Sequence, residues 1–341
     1  MVSGLKQLLE QKKCFKLICG AGNENLDEVE KLVALYAKAG CRFFDLCASE
    51  EVLEAAQKGL DRVLSKEEQA ECNFCLSVGI KNEPHLNKAR INSEKCKRCE
   101  KCVKICPQHA ISEYFKVKEK NCVGCLRCKS VCNHGAIEIY QKNKQIEEIL
   151  SPLLTPHLQG AKEKDANLSP IHLFTYSPIL CIELHASGVD EEDVQARWDY
   201  ISKNFDGVLS LCIDRSKLSN EQIVKRIEKL IEGREPYSVI IQADGAPMSG
   251  GEDDYKTTLQ AVAMAEIIQN AKLPVYILLS GGTNSKTAEL ADKCGIDFNG
   301  VSVGSYARKI VKNYIEKEDF LTNSVVFSEA LAIAKNLVKS T

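Results

Sequence analysis

The chain has 341 residues, long for one small domain and suited either to two ordinary domains or to one α/β barrel carrying an insertion. Apolar residues make up 44% and charged residues 27%, which permits a sizeable core and excludes global disorder, and no run approaches the roughly 18 uninterrupted apolar residues of a membrane span. The net charge of −2 hides an asymmetry: residues 81–145 hold 15 Lys and Arg against 6 Asp and Glu, while the remainder holds 30 against 41.

In chain order, the opening MVSGLKQLLEQKKCFK has no apolar block ahead of a small-residue cleavage site, so it does not read as a secretory signal. A soluble, cytoplasmic protein is expected. Strand-like apolar runs then fall at 15–19, 42–47, 72–79, 178–185, 207–213, 237–242, 274–279 and 299–304. Helical periodicity follows nearly all of them, at 26–39, 50–63, 190–204, 219–232, 255–271, 285–294 and 305–315, with a terminal helix at 327–338. Eight βα repeats predict a (β/α)8, TIM-like barrel built from residues 1–80 and 171–341. An open doubly wound sheet is the alternative, favoured if 72–79 or 299–304 is not a strand. The basic segment 81–145 interrupts the series after the third strand, at the end where such barrels carry function, and 146–170 reads as a return linker with room for a short helix.

Eight of the 17 cysteines fall within that insertion. Residues 96–107 read CKRCEKCVKICP and 122–133 read CVGCLRCKSVCN, both C-x2-C-x2-C-x3-C, and every cysteine recurs at an offset of 26 residues. Three closely spaced thiolates suit three corners of a [4Fe–4S] cubane, and the fourth ligates the partner cluster. One cluster is therefore assigned Cys96, Cys99, Cys102 and Cys132, and the other Cys122, Cys125, Cys128 and Cys106. Two zinc knuckles fit worse, because zinc takes its ligands in pairs. The segment resembles bacterial two-cluster ferredoxins over residues 93–140; one departure is Asn133, which stands where the second motif usually has proline. Cys72 and Cys75, three apart on a strand, point to opposite faces and do not form a chelate. The remaining cysteines read as buried, small hydrophobes, although Cys19 and Cys47 stand at strand ends.

Polar residues gather after the strands: Asn23, Asn25, Asp45, Asn82, Glu83, Glu183, His185, Asp214, Arg215, Gln242 and Asp244. Loops after strands seven and eight, SGGTN at 280–284 and GSYAR at 304–308, match the usual phosphate position of this fold. Gly281, Gly282, Gly304 and Ser305 are the candidate binding residues, for FMN or another phosphate-bearing ligand. Arg308 is not counted, since it lies one turn inside the helix. The loop at 242–251 is long and glycine-rich enough to close over a ligand. Gly20-Ala21-Gly22 is not a dinucleotide fingerprint, because Asn25 occupies the third glycine position. His185 is a candidate base, outweighed by a structural role.

The chain also resembles the light-dependent period family of cyanobacteria. The matching pieces are KLICGAG (16–22), VGIKNEPHLNKARI (78–91), the two cysteine motifs, QADGAPMSG (242–250), SGGTN (280–284) and VGSYARK (303–309). The resemblance implies an iron–sulfur protein that reports redox state to a circadian input pathway. It supplies the eight cysteines as ligands and no catalytic residue. Two readings follow: a redox-sensing or electron-transfer protein, and a flavin- or phospholigand-dependent oxidoreductase fed by its own ferredoxin-type module. No motif fixes a catalytic base, so enzymatic activity stays open. The basic module suggests an acidic redox partner such as ferredoxin or flavodoxin, or a signalling protein. Nucleic acid is disfavoured by the acidic remainder.

Overall fold

A computed structural model describes residues 4–80, 86–141, 145–158, 179–245 and 255–341. Eight parallel strands close into a barrel: β1 (Cys14–Ile18), β2 (Phe43–Cys47), β3 (Asn73–Gly79), β6 (Ile179–His185), β7 (Val208–Ile213), β8 (Val239–Asp244), β9 (Tyr276–Ser280) and β10 (Gly300–Val303). Closure runs β1-β10-β9-β8-β7-β6-β3-β2 and back to β1, so the open-sheet alternative falls. Between β3 and β6 the chain leaves the barrel and forms an antiparallel pair, β4 (Asn87–Ile91) with β5 (Ile137–Gln141). The cysteine motifs lie between these two strands, over the helices α5 (Lys101–Ile105) and α6 (Arg127–Ser130).

The barrel helices are α2 (Leu26–Lys38), α3 (Glu50–Asp61) with the short α4 (Lys66–Gln69) after it, α7 (Ile146–Leu158), α8 (Glu191–Asn204), α9 (Asn220–Ile231), α10 (Tyr255–Ala271), α11 (Thr287–Lys293) and α12 (Ser305–Ile315), with α13 (Ser324–Lys339) at the end. Local sequence fixes several starts. Asn25, Asp190 and Asn323 accept backbone N–H bonds at the N-termini of α2, α8 and α13, and Ser219 forms a capping box with Gln222 at α9. The apolar faces of these helices and the outward residues of the strands form one large core. No helix among the described residues is long and apolar enough to cross a membrane.

The return linker expected over 146–170, with room for a short helix, begins with that helix. Residues 146–158 are α7, whose Ile146, Leu150, Leu153 and Leu154 are buried in the barrel's outer core. It is the crossover helix that the third βα unit had seemed to lack. The rest of that stretch, 159–170, lies outside the described residues, as do Asn82, Glu83 and the loop at 246–251.

Inside the barrel, alternate residues of each strand point to the axis. The lowest layer is apolar: Cys14, Phe43, Cys75, Cys181, Val208, Ile240, Tyr276 and Leu278, sealed from below by Leu5 and Leu9 of α1 (Gly4–Glu10). Cys72 belongs instead to the outer core, so it and Cys75 do face opposite sides of the barrel wall. The layer above is polar and wholly buried, and on it rests the mouth.

Candidate functional site

The two cysteine runs fold as near copies. Left-handed backbone conformations recur at the same 26-residue offset: Arg98 and Gly124 (φ 53° and 67°), Glu100 and Leu126 (both 61°), His109 and Gly135 (46° and 60°). Such turns aim backbone N–H groups inward, toward an anionic guest. Two small cavities result. Cys96, Cys99, Cys102 and Cys132 line one, and Cys106, Cys122, Cys125 and Cys128 line the other. The fourth cysteine of each run thus turns toward the other run's triplet.

Sulfur atoms are met by backbone donors. Ala110 N–H donates to Cys106 Sγ at 3.3 Å. Burial alone would raise the Cys132 thiol, but N–H groups of His134, Ala136, Ile137 and Gly135 outweigh it and hold that thiol below its usual value. Burial pushes Cys128 up to about 11 and also raises Cys102 and Cys125. Iron ligation needs thiolates, so assembly releases these protons. Four cysteines around each cavity, with N–H donors aimed at sulfur, fit an iron–sulfur cluster.

The barrel mouth holds a second kind of site. Cys19, Gly20 and Asn23 after β1, Gln242 and Asp244 of β8, and His185 of β6 line a cavity of about 100 Å³. Gly281, Gly282, Gly304 and Ser305 line it too, so the four candidate phosphate residues do converge. Gly281 and Gly282 have φ of 68° and 81°, and a Cβ on either would run into Asp244 or Thr257. Ser305 opens α12, whose N-cap, Gly304, supplies no side-chain bond. Arg308, left out of the candidates for lying one turn inside the helix, does line the cavity, donating to Cys19 O at 2.8 Å and pairing with Glu28 at 3.0 Å. The volume is well below the roughly 300–1,000 Å³ of a drug-sized ligand site. That size is nearer to a phosphate or a small acid.

Below the cavity lies a network that the sequence did not reveal. Lys16 Nζ sits 2.7 Å from Asp45 Oδ2, 2.6 Å from Glu183 Oε2 and 2.9 Å from Gln242 Oε1, all fully buried. Ser77 donates to Asp45, and Ser210 and Gln242 donate to Glu183. Burial opposes the Glu183 charge, but Lys16 and His185 prevail and hold its carboxyl below the usual range. Asp45 is raised by burial despite Lys16, with Glu183 adding to the effect. Burial opposes the Lys16 charge as well, yet Asp45 and its neighbours keep the ammonium protonated well beyond its usual range. Of the other mouth candidates, Asn25 caps α2 and Asp214 accepts from Ser216 N–H.

The cysteine module is pinned to this mouth by Lys88 of β4. Its buried ammonium donates to Gly22 O at 2.9 Å on the barrel, and to Glu119 O and Cys122 O at 3.2 and 2.9 Å on the module. Glu24 lies 3.2 Å away. Val123, between Cys122 and Cys125, lines the mouth cavity itself. A second clamp runs from Lys312 of α12 to Pro107 O at 3.0 Å. Lys88 was legible only as one more positive charge in a basic segment.

A family model for the light dependent period A C-terminal domain matches residues 173–340, and one for the LdpA Fe-S cluster-binding domain matches residues 86–143. Light dependent period A of Synechococcus elongatus is 26% identical over 324 residues, covering 91% of this chain and 84% of that protein. Among solved structures, the YdjI aldolase from Escherichia coli K12 aligns at 9% identity with a TM-score of 0.39, over 97% of this chain and 92% of that one. The carboxyl transferase domain from Rhizobium etli pyruvate carboxylase, with pyruvate, aligns at 9% identity and a TM-score of 0.42, over 99% of this chain. The chain spans about half the length of that carboxylase structure, at 50%.

Proposed function

The chain belongs to the light dependent period A family, and from that premise we propose that it is an iron–sulfur redox protein whose module exchanges electrons between an outside partner and the barrel mouth. The observation that carries the reading is the place of Val123. It belongs to the loop of one cysteine set and at the same time walls the cavity that holds the phosphate loops, His185 and Asp244. Among the described residues, none that lines the cavity of the other set also lines the mouth, and that set includes the exposed Cys99. The first set therefore faces the partner and the second faces the barrel.

Two [4Fe–4S] clusters, when bound, supply one-electron transfer. The rest falls to the chain. Lys88 holds the second set over the mouth. Gly281, Gly282 and the start of α12 offer backbone N–H groups and a favourable dipole to a phosphate-bearing ligand of small size. The Lys and Arg excess of residues 81–145 draws an acidic partner such as ferredoxin or flavodoxin. Reporting redox state to a circadian input, which the family resemblance implies, would use the same partner-facing set.

The test begins with iron and acid-labile sulfide, expected at about eight each per chain after anaerobic reconstitution. Cys106→Ser should halve the iron and spare the cluster held by Cys96, Cys99, Cys102 and Cys132; loss of that cluster instead would refute the crossed assignment. Reduction by flavodoxin should slow as salt rises, because charge steering is screened over about 8 Å at physiological ionic strength. A salt-independent rate would remove the acidic partner. Inorganic phosphate should bind wild type and not Ser305→Asp, which keeps a good helix start but sets a negative charge at the site. Gly281→Val is a poor probe, since its side chain would collide with Asp244 before any ligand arrived.

A further inference from the structure

The floor of the mouth cavity gathers more ligand chemistry than phosphate binding or electron relay needs. Glu183 and His185 on β6 and Cys212 on β7 each present one ligand atom, and the three atoms lie within 4.8 Å of one another. His185 and Cys212 are direct partners in the β6–β7 register. His185 Nε2 is 3.4 Å from Glu183 Oε1, and Cys212 Sγ is 3.4 Å from Asp244 Oδ2 on β8. Atoms bound tetrahedrally to one zinc ion at 2.0–2.3 Å stand about 3.3–3.6 Å apart. The pairs are already near that spacing.

Charge points the same way. At and just above this level of the barrel the described residues bury the carboxyl groups of Asp45, Glu183, Asp214 and Asp244, with the Lys16 ammonium held between Asp45 and Glu183. Lys16 lies on the Oε2 side of Glu183, which leaves the Oε1 side to His185 and Gln242. The charges bearing most on Cys212 are those of Asp244, Glu183 and Asp214, all negative.

We propose that Glu183, His185 and Cys212, with Asp244 beside them, form a divalent transition-metal site of zinc type at the floor of the barrel mouth. Imidazole, thiolate and carboxylate together suit zinc or ferrous iron, whereas magnesium and calcium take oxygen donors. On binding, the Cys212 S–H proton passes to solvent and the thiolate pairs with the metal, so charge balances. Gln242, Ser210 and Lys16 already hold the Glu183 carboxylate by hydrogen bonds, as outer partners of a metal site do. His185 and Asp244 also line the cavity, so the metal's remaining position opens toward a water or an anionic ligand group.

The test uses the full-length protein with its clusters assembled. It is dialysed anaerobically against zinc, stripped of loose ions on a chelating resin, and assayed for zinc and iron together. One zinc per chain is expected, with an X-ray absorption shell of one sulfur and otherwise nitrogen or oxygen. Cys212→Ser and His185→Gln should each lower retained zinc about tenfold or more, with iron content unchanged. Less than a tenth of a zinc in wild type overturns the site, as does full retention in both variants. If either variant fails to fold, the wild-type shell decides: one sulfur supports the site, while four sulfurs place the zinc in the cysteine module and refute it.

Discussion

Cys14 shows what this barrel does to a thiol. It lies wholly buried in the lowest layer, and burial pushes it up to about 12, with Lys16 only partly opposing. Cys72 is likewise raised to about 12 by burial, and Cys19, Cys41 and Cys75 are raised as well. A raised thiol is neutral in the fold but ionises near 8.5 once unfolded. Folding is therefore unaffected below pH 8.5 and loses stability above it, by about 1.4 kcal/mol per pH unit for each such thiol, until the folded value is reached. Lys16 acts in a separate window. Its raised value stabilises the fold fully below about 10.4, and that contribution is lost only at still higher pH. Urea unfolding followed by circular dichroism should show stability falling between pH 8.5 and 10. Cys14→Ala should flatten the decline by about 2 kcal/mol over that range; an unchanged slope would mean Cys14 is not held neutral.

At the scale of elements, α2 and α3 pack closely because Gly59 leaves no side chain between them. A Cβ there would lie 2.6 Å from Glu30 O, a backbone atom that cannot swing aside. Gly59→Ala gains about 1 kcal/mol of helix propensity but overpacks the contact by about 1–3 kcal/mol. A net loss is expected, read as a lower urea midpoint at unchanged m-value; a raised midpoint would show the helices free to separate. All eight barrel strands were legible from short apolar runs to within two residues at each end. The helix α7 was expected only as a short helix within a linker, because the apolar face of Ile146, Leu150 and Leu153 gains its meaning from the barrel it meets. Helix α1 carries too few residues to show periodicity, and its role as a plug depends on the layer it covers.

At the scale of the molecule, Lys88 joins the two parts, satisfying carbonyls on both sides of the interface from one buried ammonium. Lys88→Met keeps the stem and removes the donors. Amide exchange should then rise about tenfold or more in 19–24 and 119–123, consistent with the loss of hydrogen bonds worth about 1–3 kcal/mol. Exchange in β7 and β8 should hold steady and iron should be retained. Equal protection in wild type and variant would show that the clamp from Lys312 suffices.

The sequence by itself determined the barrel repeat, the place of the insertion and the eight cysteines with their crossed pairing as an expectation. These are local properties: strand length, helix period and a motif recurring at 26 residues can be read along the chain. It also singled out the glycine loops at 281–282 and 304, since a strand-to-helix turn has its own composition. Only the tertiary structure decided what meets at the mouth. Lys16 and Gln242 are 226 residues apart and touch because closure brings inward positions of distant strands to one level. The same closure sets Cys212 beside Asp244, and the module's docking brings Val123 over the cavity. A strand pattern shows that alternate residues share a face, but which faces converge is fixed by register and shear, and those belong to the closed barrel.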